Sequence, residues 1–263
     1  MMLKELGPGL RLTIAFTILT GLVYPAVMTG ISEAIFPHQA YGSLIRVDGK
    51  VVGSSLIGQS FSKPGYFHPR PSAAGNGYDP TQSGGTNLGP TSAKLIRGVI
   101  STDSKGKETV SFDGIEDRIV HYCVDNNIPY ESSVPLDRFK DSQGHLDDVK
   151  LIDAFNDPRN PLAFTPKVPI PSDAVTDSAS GLDPDISPQN ADLQLARVAK
   201  ARGVPPSQIK TLVAEFTSRP DLGFLGEPRV NVLELNIALD RHFPAGKSQS
   251  ADANAEQMSA GMR

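Results

Sequence analysis

The residues able to do chemistry are thinly spread along this chain. There are five histidines and one cysteine, and no two histidines share a metal-ligand spacing. No Gly-x-Ser-x-Gly, His-Glu-x-x-His or Gly-x-x-x-x-Gly-Lys-Ser/Thr occurs, so the signatures of a serine hydrolase, a zinc protease and a phosphate loop are missing. Three sets remain. Asp147, Asp148, Asp153 and Asp157 with His145 suggest a metal cluster, but without an alternating calcium-loop pattern they read as solvated acids. Ser83, Gly84, Gly85 and Thr86, within Tyr78–Pro90, let backbone amides converge. That suits a nucleotide or other anion, or a closely approaching chain, with a tight structural turn as the competing reading. Gln59, His68, Arg70, Asn87 and Asp183 lie on predicted loops with no recognisable acid–base pair. Loops on a rigid scaffold are where recognition is usually placed, so these five are candidates for contact with a partner. No catalytic residue and no metal ligand is assigned.

The elements that must position these loops begin with an apolar run, Leu12–Ile31, uninterrupted by charge until Glu33. About 20 helical residues span a bilayer core of ~30 Å. The run exceeds the ~7–15 residues of a signal-peptide core, and its one small-x-small site, Ser32-Glu33-Ala34, contains an acid. It therefore reads as a permanent single-pass anchor, with a kink expected at Pro25. Lys4 and Arg11 precede it and no Lys or Arg follows until Arg46. The positive-inside tendency thus puts the N-terminus in the cytoplasm and the rest outside, at a bacterial inner membrane. The single cysteine, Cys123, excludes an intramolecular disulfide. A net charge of −4 argues against a nucleic-acid partner.

Further along, Asp48-Gly49 between two apolar runs predicts a hairpin over Gly42–Ile57. Gly58–Ser72, with three prolines, predicts an extended, ordered loop whose Phe61, Tyr66 and Phe67 plug a core. Short helices are expected over Ala93 to about Ile100, Ile115–Asn126 and Asp147–Phe155. Ser187 as cap and Pro188 at the first helical position open a helix stopped by Gly203. Pro205 or Pro206 opens the next, and Asn231 with Glu234 caps a last one to His242. The plan is a cytoplasmic N-terminus (1–11), an anchor (12–36), an outer domain in two parts (37–102 and 172–243) around an acidic insertion (103–171), and a disordered tail (244–263). With 24 glycines, 22 prolines and no tryptophan, the outer part is expected to be a loop-rich α/β (α+β) domain.

Several stretches then suggest a family. Gly58-Gln59-x-Phe61, Tyr66-Phe67-His68-x-Arg70-Pro71-Ser72-Ala73, Ser83-Gly84-Gly85-Thr86-Asn87-Leu88, Ser180-Gly181-Leu182-Asp183-x-x-Ile186-Ser187-Pro188, Arg197-Val198-Ala199-x-Ala201-Arg202 and Val232-x-Glu234-Leu235-Asn236-x-Ala238-Leu239-Asp240 resemble, in order, the C subunit of the Kdp-type potassium-transporting P-type ATPase. The family crosses the middle region with a shorter segment, hence its reading as an insertion. The resemblance implies a non-catalytic subunit needed for assembly and activity. Its partners would be a channel-like A subunit, an ATP-hydrolysing B subunit and a small F subunit. It also implies a chaperone-like effect on the B subunit's affinity for ATP, with no cofactor of its own. A domain outside the membrane cannot touch cytosolic ATP, so either the orientation is inverted or that effect is indirect, through the A subunit or the anchor helix. The chain lacks Asp-Lys-Thr-Gly-Thr, the phosphorylated motif of P-type pumps. The alternative is a membrane-anchored extracytoplasmic hydrolase or scaffold.

Overall fold

The computed structural model describes residues 2–244, so the expected tail beyond Pro244 lies outside the described residues. The chain divides into two compact units, Met1–Leu56 and Ile57–Arg263.

In the first unit, helix α1 (Met2–Ile18) runs through a π turn (Leu19–Val23) into α2 (Tyr24–Ile35). Pro25 accounts for the turn. It has no amide hydrogen, and its ring would crowd the carbonyl four residues earlier, at Gly21. Widening the helix by one residue relieves that clash, and the Tyr24 amide donates to the Leu19 carbonyl instead. Over Leu6–Ile35, 30 residues, the helix is long and apolar enough to cross a membrane, and none of it is buried within the chain. The hydroxyls of Thr13 and Thr20 bond the carbonyls of Gly9 and Phe16, at 3.0 and 2.7 Å, so they are satisfied inside the helix. A four-residue helix, α3 (Pro37–Ala40), leads to the hairpin of β1 (Leu44–Val47) and β2 (Lys50–Ser54). Asp48 and Gly49 both take positive φ, 49° and 77°, as the type I′ turn at such a hairpin requires.

The second unit is a mixture of helices and short antiparallel strands. Helix α4 (Ala93–Arg97) is shorter than its expected reach to Ile100. Gly98, at φ 78°, ends it, and Val99 and Ile100 enter β3 (Val99–Thr102), paired with β4 (Glu108–Phe112). A Cβ on Gly98 would lie 2.8 Å from the Phe112 carbonyl, so this close crossing of backbones needs glycine. Next come α5 (Ile115–Asp125), the pair β5 (Tyr130–Ser132) and β6 (Phe164–Pro166), and between them α6 (Asp148–Asn156). Val120, Leu136, Leu151, Phe155 and Leu162 form a small core here.

The larger core lies beneath β7 (Asp185–Ile186), α7 (Pro188–Arg202), α8 (Pro206–Glu215), β8 (Thr217–Ser218), β9 (Arg229–Asn231) and α9 (Val232–His242). The caps fall where expected. Ser187 accepts from the Asn190 amide at 3.1 Å, Gly203 closes α7 in the left-handed region, and Asn231 accepts from the Glu234 amide at 3.1 Å. Leu195 and Val198, Ile209 and Val213, Leu235 and Leu239 meet in one cluster, and Phe67 enters it from the loop before.

Composition sets 103–171 apart as an acidic insertion, yet in the fold it is stitched to α7. The Tyr122 hydroxyl donates to Asn190 Oδ1 at 2.7 Å, and Arg197 Nε donates to Asn126 Oδ1 at 2.9 Å. Phe67 is fully buried, so Phe67→Ala should cost about 3–5 kcal/mol. Urea unfolding of the full chain in detergent checks this. A midpoint close to wild type would mean the loop does not anchor in the core.

Candidate functional site

Pro64, Pro69 and Pro71 remove amide donors from the stretch 58–72, which does not run extended throughout as expected but turns at Lys63–Tyr66, where the Tyr66 amide donates to the Lys63 carbonyl at 3.1 Å. The stretch joins no sheet, yet Phe67 is fully buried and its neighbours half-buried, so the carbonyls and amides shielded there need other partners. Helix side chains supply them. Asn236 accepts from the Phe67 amide at 2.8 Å and donates to the Phe67 carbonyl at 2.9 Å. Gln194 accepts from the His68 amide at 2.7 Å and donates to the His68 carbonyl at 3.0 Å. Arg197 donates to the carbonyls of Pro64 and Tyr66, at 2.7 and 2.9 Å, and to Gln194 Oε1 at 2.8 Å. Arg202 donates to the Gly65 carbonyl at 2.7 Å and to Asp240 at 2.8 Å, and lies 4.7 Å over the Tyr66 ring. Two side-chain amides thus do for this loop what a neighbouring strand does in a sheet.

The loop residues expected to meet a partner are placed unequally. Arg70 and Asp183 meet each other, Nη1 to Oδ2 at 2.9 Å, and Arg70 Nη2 donates to the carbonyls of Thr176 and Asp177 at 3.4 and 3.1 Å. Tyr78 donates to the Arg70 carbonyl at 2.7 Å, and burial raises the pKa of its phenol. His68 is half-buried, and burial, then the charge of Arg197, lowers its pKa and favours the neutral ring. Gln59 is half-buried and Asn87 exposed, the latter in left-handed backbone at φ 54°. The Ser83 hydroxyl and the Gly84 amide both donate to the Ser180 carbonyl, at 3.0 and 2.9 Å. A Cβ on Gly85 would come within 2.9 Å of the Ala179 carbonyl. The small residues of 83–85 therefore permit two loops of this chain to touch, and the Gly84 amide is already committed. Thr86 follows, half-buried.

A cleft of about 440 Å³ opens between this loop and α5. His68, Arg70, Ser72 and Tyr78 line one wall, and Asp113, Asp117, Arg118, His121, Tyr122 and Asp148 line the other. Arg118 bridges Asp113 and Asp177, at 2.7 and 3.1 Å. Asp117 is 2% exposed. Burial, above all, pushes its pKa up to about 7, against the nearby His121. His121 lies 2.8 Å from Asp148, and that bond, the largest influence on it, raises its pKa. From this wall sequence reasoning singles out only Asp148, within the Asp147–Asp157 group, and passes over Asp117 and His121, although those two stand four residues apart on the predicted helix. The acids it does single out disperse. Asp147 caps α6, His145 sits 3.8 Å from Asp141, and Asp157 accepts from the Arg159 amide. Cys123 is buried and its thiol is pushed up to about 11, which leaves little thiolate at neutral pH.

Comparison with known proteins gives a consistent result. The family model for the K+-transporting ATPase c chain, KdpC, matches residues 6–149 and 140–241. The potassium-transporting ATPase KdpC subunit of Caulobacter vibrioides is 44% identical over 249 residues, 94% of this chain and 98% of the relative. That of Mycobacterium bovis is 40% identical over 240 residues, 91% of this chain and all of the relative. That of Koribacter versatilis is 41% identical over 243 residues, 92% of this chain and 97% of the relative. These alignments leave no room to omit 103–171, so that region is common to such relatives and is not an addition of this chain alone.

Arg197 is the most heavily used side chain of the site. Arg197→Leu leaves the Pro64 and Tyr66 carbonyls, Asn126 and Gln194 without this donor, and should cost about 3–5 kcal/mol. Hydrogen exchange at the Phe67 and His68 amides should accelerate with the loss. Unchanged exchange there would show that Asn236 and Gln194 hold the loop without Arg197.

Proposed function

The chain belongs to the KdpC family of K+-transporting ATPase subunits, and from that premise we propose that it acts as the accessory, non-catalytic subunit of an ATP-driven potassium pump. In this reading the helix Leu6–Ile35 anchors it in the membrane and the folded domain lies outside. The observation that carries the reading is the pairing of one apolar helix with a domain that has no phosphorylation motif and whose Arg70 and Asp183 are engaged with each other. The domain serves assembly and activity through contact with the channel-like, ATP-hydrolysing and small subunits. Any effect on ATP affinity passes through those contacts, in keeping with the internal bonding of Ser83 and Gly84.

Contact needs an outward surface. Asn87 supplies a polar point. The tip Asp221–Leu225, closed by a bridge between those two residues, supplies an apolar one, with Leu222 83% and Phe224 75% exposed. Large side chains held out on a tight turn are the kind that anchor an interface.

Two measurements test the reading. Lys105 is exposed on the turn between β3 and β4, and the native Cys123 is buried. In intact cells Lys105→Cys should react with a membrane-impermeant thiol reagent. Labelling only after lysis would invert the topology. The double variant Leu222→Ser, Phe224→Ser should keep the wild-type unfolding midpoint while recovery of the other pump subunits with the tagged chain falls several-fold. Full recovery would place the contact elsewhere.

A further inference from the structure

Among the described residues, Asp117, His121 and Asp148 are the one group of such side chains whose ligand atoms converge, all within 4.8 Å of one another. Asp117 and His121 project from successive turns of α5, and Asp148 from the first turn of α6. His121 Nε2 lies 2.8 Å from Asp148 Oδ1 and 3.9 Å from Asp117 Oδ1. A second observation makes this more than a cluster of acids. The Asp117 side chain is 3% exposed, and its Oδ1, the oxygen that faces His121, has no hydrogen-bond partner among the described residues. Arg118 does not supply one, because its guanidinium is taken by Asp113 and Asp177. A buried carboxylate oxygen without a donor costs about 1–3 kcal/mol or more, and a native fold ordinarily satisfies it.

We infer that Asp117, His121 and Asp148 form a binding site for a divalent cation of the zinc and manganese class, which ties α5 to α6 at the floor of the cleft. One imidazole nitrogen and two carboxylate oxygens are the donor set for such ions, whereas magnesium prefers oxygen alone and calcium needs more ligands. Ligand atoms around a tetrahedral zinc with bonds of about 2.1 Å stand roughly 3.4 Å apart. The distances of 2.8 and 3.9 Å straddle that value. The Asp148 side chain, 47% exposed, can make the small adjustment. Three protein ligands leave a further coordination position toward the cleft for water or a partner's carboxylate. The site depends neither on the pump reading nor on the orientation of the chain in the membrane.

The test uses the full chain in detergent, stripped with a chelator and titrated with Zn2+ and, separately, Mn2+. One ion per chain should bind, and the unfolding temperature should rise on its addition. Asp117→Asn and His121→Gln should each weaken binding at least tenfold and abolish the rise. Asp117→Asn should at the same time raise the unfolding temperature of the metal-free chain, because it removes the buried charge. The control His145→Gln, at an exposed histidine, should change nothing. Three results would overturn the inference: no binding, binding that survives both α5 variants, or an equal response to Mg2+.

Discussion

The fold rests on the need to satisfy the backbone of one sheetless loop where it enters the core at Phe67. Between Gly65 and His68 the chain is half-buried, with Phe67 fully buried, and no strand lies beside it. Each unmet buried amide or carbonyl there would cost about 1–3 kcal/mol. Asn236 and Gln194 answer with paired donor and acceptor, and Arg197 and Arg202 with donors alone. This explains why α7, a core helix, buries Asn190, Gln194, Arg197 and Arg202 beside its apolar residues. A purely apolar face would pack on Phe67 but leave the loop's polar groups stranded. The arrangement also couples distant parts of the chain, since 58–72 has no seat until α7 and α9 are in place.

Arginine extends the same logic to the joints between segments. Arg70 holds Asp183 and the Thr176–Asp177 backbone against the loop, and Arg118 holds Asp177 and Asp113 against α5. The short run from Val175 to Asp177 is thus gripped from two sides by planar guanidinium groups, each meeting several oxygens at once. These pairs are half-buried, so removing one partner leaves a charge exposed to poor solvation, and their value lies in fixing geometry as much as in net energy. The acids of the middle region divide accordingly. Asp113 shares the Arg118 guanidinium with Asp177, whereas Asp117 has no such partner among the described residues.

What the sequence makes legible is what is written locally. Asp48-Gly49, Ser187-Pro188, Gly203 and Asn231 with Glu234 each state a turn or cap within four residues, and the elements they bound stand where they are read. Gly98 carries a stop signal of the same kind. The helix overruns it on paper because Ile96, Val99 and Ile100 continue an apolar pattern that fits a helix as well as a strand. Pairing with β4, settled eight to thirteen residues later, decides for strand. The site is less legible because it is assembled at long range. The sequence marks Arg70, His68 and Asp183 as distinctive, but Arg70 and Asp183 are 113 positions apart, and nothing in their neighbourhoods says that they meet. Asp117 and His121 carry a visible four-residue spacing. Asp148, which completes their group, is read instead with its sequence neighbours Asp147 and His145, from which α6 turns it away.

The apolar N-terminal helix follows the same rule of local satisfaction, with a consequence for its surface. In an unbroken α-helix the face bearing Thr13, Thr17 and Thr20 would continue through Tyr24, Met28 and Ile31, all large. The π turn at Leu19–Val23 adds one residue to the repeat, so across it a step of five replaces a step of four. The same face then continues through Pro25, Thr29 and Ser32. A stripe of small and polar residues thereby runs the length of the helix, where an ordinary helix would have changed to bulky apolar ones halfway. Lipid gains little from such a stripe, whereas a neighbouring helix can approach it closely and pack. Pro25 therefore does more than interrupt the backbone. By forcing the extra residue, it brings the small and polar residues of the two halves of the helix onto one face.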